Sequence, residues 1–136
     1  MRMPRTLACS IIRGGSSKGI FLRGDALPPC PEAQDALFLR LMGSPDPRQV
    51  DGLGGADPLT SKIVVVHPSE RAGIDVEYES VEVGISTASV NRGIMCGNLS
   101  AGVGYFALQE GFVAPRGRFT DIRMFCRSNG KTVWRR

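Results

Sequence analysis

Cys96-Gly97-Asn98-Leu99-Ser100-Ala101-Gly102-Val103-Gly104-Tyr105-Phe106-Ala107-Leu108-Gln109-Glu110 is the stretch whose reading decides the fold. A helix drawn through 97–110 carries small or apolar residues on nearly every side: Leu99, Ala101, Gly102, Val103, Gly104, Phe106, Ala107 and Leu108. A helix apolar all round is buried all round. It is therefore expected to lie against or inside a sheet, with Gly102 and Gly104 allowing close backbone contact. Gly111 suits its C-terminal stop.

Working outward, the segments on both sides read as strands to cover that helix. Arg5 to Ile12 and Gly19 to Leu22 read as two strands. Between them, Arg13-Gly14-Gly15-Ser16-Ser17-Lys18-Gly19 reads as a glycine-rich loop whose backbone can approach a ligand closely. Ile63 to His67 reads as a buried strand with Lys62 at its entrance, and Asp75 to Val83, alternating in part, as a half-exposed one. Ile122 to Cys126 and Thr132 to Trp134 read as a hairpin turning at Asn129-Gly130. Glu32 to Met42 has apolar residues near helical spacing, with Pro31 suiting the first turn and Gly43 the stop. The stretch 44–58 is irregular, and a loop of that length in a compact domain points to function. Strands and helices mix without a βαβ repeat, so the class expected is α+β.

Bulk properties exclude several functions. Hydrophobic content of 42% with 22% charge supports a packed core rather than disorder. The formal net charge is +4, and the basic residues are scattered apart from Lys131, Arg135 and Arg136. No basic helix or aromatic-basic stripe argues for nucleic acid. A mild basic surplus suits small polycarboxylates instead. The apolar run Leu7 to Ile12 is too short and too polar for a signal peptide or a membrane span, so the cytoplasm is the expected compartment and no membrane partner is expected. Cys9, Cys30, Cys96 and Cys126 then read as reduced thiols. No C-x-x-C pair exists and His67 is the single histidine, which argues against a metal site.

Three elements share one chemical theme. The 14–19 loop offers backbone N–H groups, the hydroxyls of Ser16 and Ser17, and Lys18. Gly54-Gly55 offers a second pliant backbone. Cys96-Gly97-Asn98 opens a helix, where unpaired N–H groups and the dipole favour an anion. The same field favours the thiolate form of Cys96 and suits it to proton transfer. The glycine loop matches neither the P-loop nor the dinucleotide fingerprint, so a nucleotide cofactor is disfavoured. Lys62 follows Leu59-Thr60-Ser61 and precedes an apolar strand, the setting of a candidate general base. His67, at the far end of that strand, reads as structural.

Five motifs in order carry a resemblance. They are Arg13-Gly14-Gly15-Ser16-Ser17-Lys18-Gly19, Leu41-Met42-Gly43-Ser44-Pro45-Asp46, Asp51-Gly52-Leu53-Gly54-Gly55, Leu59-Thr60-Ser61-Lys62 and Cys96-Gly97-Asn98. Together they resemble the PrpF family, whose members include 2-methylaconitate cis-trans isomerase, methylitaconate isomerase and 4-oxalomesaconate tautomerase. The resemblance runs from about Arg5 to about Val113. It implies a diaminopimelate-epimerase-like fold, in which each of two domains curls a sheet around a central helix and the active site lies between them. It further implies Lys62 and Cys96 as the catalytic pair. Ser16, Ser17 and Lys18 would hold one substrate carboxylate; Gly97, Asn98 and Ser100 would hold another, with Gly54 and Gly55 beside them. The activity implied is cofactor-independent isomerisation of small unsaturated di- or tricarboxylates; keto–enol tautomerisation and a non-catalytic anion-binding fragment are the alternatives. Family members are far longer. Residues 1–136 are accordingly expected to form an incomplete first domain with the second absent, and to self-associate through an uncovered core.

Overall fold

The computed structural model describes residues 6–94 and 97–136. Its strands are β1 (Ser10–Gly14), β2 (Ser17–Arg23), β3 (Lys62–Pro68), β4 (Val76–Val83), β5 (Val90–Asn91), β6 (Ile122–Cys126) and β7 (Lys131–Arg135); its helices are α1 (Pro31–Met42) and α2 (Gly97–Gln109). The strands form one mixed sheet in the order β1-β2-β3-β4-β6-β7, with β5 also pairing β4. β2 runs parallel to β3, and β4 parallel to β6; the other pairs are antiparallel. This is an α+β architecture.

Strand alternation divides the sheet into two cores. Ile12, Phe21, Val64, Val66, Val76, Tyr78, Ile122, Met124, Cys126 and Val133 share one cluster with Leu99, Val103, Phe106 and Ala107 of α2. Every strand of the main path therefore turns a side chain toward α2. Phe21 and Phe106 pack with their rings tilted at 45° and centroids 5.8 Å apart. The opposite face gathers Ile20, Leu22, Ile63, Val65, Val81 and Val83 against Phe38 and Met42 of α1. α1 ends as its composition predicts: Gly43 is left-handed at φ 79, and Ser44 N–H reaches back 2.9 Å to the Leu39 carbonyl.

Three local expectations change. The glycine-rich 13–19 stretch is mostly strand, with Gly14 paired to Ser17 and only Gly15 and Ser16 turning. β4 is not half-exposed. It lies in the middle of the sheet under both cores, and its Glu77 is buried between Arg127 (3.0 Å), Ser69 (2.9 Å) and Arg71 (3.5 Å). α2 is not covered on all sides: Asn98, Ala101, Tyr105 and Gln109 form one exposed stripe. That stripe lies between the two edge strands, as Gln109 Nε2 donates to Ser10 Oγ of β1 (2.9 Å) and Arg135 of β7 donates to Ser100 Oγ (2.8 Å). No helix among the described residues is long and apolar enough to cross a membrane.

Candidate functional site

The β1–β2 turn is built for contact with the first turn of α2. Gly15 takes φ +56, a conformation open to glycine at little cost. A Cβ on Gly14 would collide with the Asn98 carbonyl, one on Gly15 would lie 2.7 Å from Asn98 Oδ1, and one on Gly19 would lie 2.8 Å from a Leu99 methyl. The three glycines are thus explained by close approach, and the contact is completed by Asn98 Nδ2 donating to Ser16 Oγ at 3.1 Å.

Alternation then decides which side chains share this end of the sheet. Lys62 lies on the same face of β3 as Val64 and Val66, toward α2, and Ser17 lies on the same face of β2 as Phe21. Lys62 Nζ donates to Ser17 Oγ at 3.4 Å, and Ser17 is buried. Glu82 is the register partner of Lys62 on β4. It sits on the α2 side too, a carboxylate directly across from the ammonium that sequence reading missed; only the pairing register reveals it. Lys18 is on the other face of β2 with Ile20 and Leu22, so the structure does not bring it together with Ser17 and Lys62.

Gly54 and Gly55 reach this end through a different set of contacts. Gly55 N–H donates to the Thr60 carbonyl (3.3 Å), within the short 3-10 turn Pro58–Thr60 that leads into β3. Gln49, which sequence reading also missed, organises the whole segment. It is 1% exposed; Nε2 donates to Ser44 Oγ (3.1 Å) and Ser61 Oγ (2.9 Å), and Oε1 accepts from Ala56 N–H (2.8 Å). A polar residue inside an irregular stretch gave no periodic signal to mark it as buried.

At the helix end, Gly97 and Asn98 are exposed, and the first N–H groups of α2 have no intrahelical acceptor. Ser100 is buried. Its hydroxyl donates to the Gly97 carbonyl (2.6 Å) and accepts from Arg135. Arg135 thus adds a guanidinium to the positive end of the helix. Cys96 lies outside the described residues. His67 stands at the opposite end of β3, away from this cluster. An ammonium, three hydroxyls, an amide and a helix N-terminus gathered at one end of a sheet can bind carboxylates and stabilise charge that develops between them.

Fold and site together define an α+β architecture that packs a sheet about one helix and gathers Ser16, Ser17, Lys62 and Glu82 at the sheet end beside that helix's first turn. A family model described as PrpF protein matches residues 4–135, and the chain belongs to that family. It is 52% identical over 126 residues to the (4E)-oxalomesaconate Delta-isomerase of Novosphingobium sp. (strain KA1), covering 92% of this chain and 35% of that protein. It is 46% identical over 134 residues to the 3-methylitaconate isomerase of Eubacterium barkeri, covering 98% of this chain and 34% of that one. The solved structure of a methylitaconate-delta-isomerase superposes with a TM-score of 0.91 at 46% identity, covering 94% of this chain and 33% of that chain. The chain thus spans about a third of the length of the curated relatives it matches.

Proposed function

We propose that this chain supplies one wall of a cofactor-independent isomerase acting on small unsaturated di- or tricarboxylates. The observation that carries the proposal is the junction of Lys62, Ser17, Ser16 and Asn98 at the first turn of α2. In this reading Lys62 acts as its neutral amine, taking a proton from the carbon allylic to the double bond and becoming an ammonium. The resulting dienolate-like anion spreads its charge onto a carboxylate held by the α2 N–H groups and the Ser16, Ser17 and Asn98 side chains. Cys96, next in chain to Gly97, returns a proton to the same carbon after rotation or to another carbon. Ser100 keeps the helix turn in place, with Gly54 and Gly55 lining the approach beside Lys62. The fold is read as the first domain of a diaminopimelate-epimerase-like pair, and the enzyme as cytoplasmic.

Keto–enol tautomerisation of an oxalomesaconate-like acid is the second reading, favoured by the 45% identity over 125 residues to a protein named 4-oxalomesaconate tautomerase. One experiment separates these. The chain is assayed with 2-methylaconitate, 3-methylitaconate and 4-oxalomesaconate, alone and joined to the part of the Eubacterium barkeri isomerase that it does not cover. Turnover is expected only in the joined form, where a second wall excludes water. Absence of turnover on all three acids in a folded joined protein rejects the isomerase reading. Turnover by the chain alone rejects the two-walled one.

A further inference from the structure

Among the described residues, two that are not glycine have a left-handed backbone: Gln49 at φ 46 and Ala56 at φ 59. They are hydrogen-bonded to each other, Gln49 Oε1 accepting from Ala56 N–H at 2.8 Å. Strained residues of this kind persist only where the surroundings over-determine them, and they cluster at functional sites. Here the two ends of the Asp51-Gly52-Leu53-Gly54-Gly55 loop are closed by one side-chain amide. Gly54 lies directly over that amide, where a Cβ would run into it. The loop is also docked on α1, with Leu53 and Gly54 N–H donating to the Leu41 (2.9 Å) and Met42 (3.2 Å) carbonyls.

The same amide reaches the strand that carries Lys62. Ser61 Oγ donates to the Val83 carbonyl at 2.7 Å, so it can only accept from Gln49 Nε2. The second Nε2 proton goes to Ser44 Oγ. Each hydrogen-bonding role of the amide is thus used and its orientation determined. Glutamate lacks the donors, asparagine is one methylene short, and leucine removes both donors and the acceptor, so that Ser44 Oγ, Ser61 Oγ and Ala56 N–H all lose this partner.

We infer that Gln49 is a positioning residue for Lys62, holding Ser61 and the glycine loop in one geometry so that the lysine enters β3 in a single orientation. This rests on the reading of Lys62 as the base. Its test measures the surroundings of Lys62 rather than turnover, so the two can fail separately.

The test uses the 136-residue chain. Acetic anhydride labelling compares Lys62 with Lys18 and Lys131 in the same molecule, and amide hydrogen exchange follows Ala56 and Val64–Val66. In Gln49→Leu, Ala56 exchange should quicken at least tenfold. In Gln49→Glu at neutral pH the carboxylate still accepts from Ala56 N–H but donates to neither serine, so the Lys62 labelling ratio should move at least threefold with Ala56 and Val64–Val66 exchange within twofold. As pH falls and the new carboxyl gains a proton it can again donate to Ser61. The labelling ratio should then return toward the unmodified chain, a recovery that Gln49→Leu lacks. If Gln49→Glu unfolds, Ser61→Ala removes the link alone, and should move the Lys62 ratio while Ala56 stays protected. An unchanged Lys62 ratio in whichever variant keeps Val64–Val66 protected, or the same pH profile for Glu and Leu, overturns the inference.

Discussion

At the scale of single residues, the proposed chemistry turns on Lys62 and its face of β3. Lys62→Ala, made in the joined protein, should lower kcat by roughly two to four orders of magnitude, the usual scale for loss of a general base. A rise in KM with kcat within a few-fold would make Lys62 a binding group only. His67 shows how the other end of the same strand differs. Its Nε2 is buried with no hydrogen-bond partner, and its ring presses on Gly24, where a Cβ would collide with it. Burial, and then the charge of Arg127, push its pKa below the ordinary 6.5, against the pull of Glu79, Glu77 and Asp25. A base whose folded pKa is depressed takes up protons more readily when unfolded. Its neutral form therefore supports the fold above pH 6.5, and that support is lost as pH falls below it. His67 is the sole histidine, so its ring-proton resonance can be followed directly. The midpoint should lie below 6.5; a value at or above 6.5 would contradict the burial argument.

At the scale of elements, α2 and its glycines set how closely the sheet can approach. A Cβ on Gly102 would lie 2.8 Å from Phe21 Cζ in the core and 2.9 Å from a methyl of Ile12, which packs against it. Gly102→Ala should destabilise the chain by about 1–3 kcal/mol, the usual cost of overpacking. A Cβ on Gly104 meets the tip of Ile122 at 3.3 Å and Arg135 Cβ at 4.0 Å, an ordinary contact. There the gain in helix propensity, about 1 kcal/mol, should offset the crowding and leave Gly104→Ala neutral or more stable. Guanidinium unfolding of the two variants checks the contrast; equal effects would mean that α2 is not seated as described. The β1–β2 turn follows the same rule, since its glycines answer to Asn98 and Leu99 rather than to turn geometry alone.

At the scale of the whole molecule, the sheet covers most of α2 and leaves a stripe open. Tyr105 is 63% exposed on that stripe, whereas Ile11 (57%) and Trp134 (55%), on the edge strands either side, belong to the face turned away from α2, since their neighbours Ile12 and Val133 pack toward it. Isolated apolar residues on a surface are ordinary, but an aromatic on the open face of a core helix, flanked by two unpaired strand edges, invites association. The chain should self-associate and bind a hydrophobic dye, and Tyr105→Lys should reduce both. Sedimentation and dye titration giving a dye-negative monomer in the unmodified chain would refute this. The same open side is where the proposed second wall would stand.

Local pattern was enough to locate most main elements; the first strand is the exception, expected over Arg5 to Ile12 and found at Ser10–Gly14. The apolar run 63–66, the helical spacing of 32–42 with its Gly43 stop, the Asn129-Gly130 turn and the small-residue run of 97–110 all depend on neighbours a few positions away. So do the two glycine motifs, the Lys62 entrance and the helix N-terminus, which is why the family resemblance could be read from the chain. Which face each strand turns to α2 was beyond it, because facing depends on pairing between distant segments. The register alone places Ser17 with Lys62, sends Lys18 to the other side and sets Glu82 opposite the lysine. Gln49 is the extreme case. Its partners Ser44, Ala56 and Ser61 are hydroxyl and backbone groups that carry no sequence period, and they meet at one amide only when α1, the glycine loop and β3 have packed.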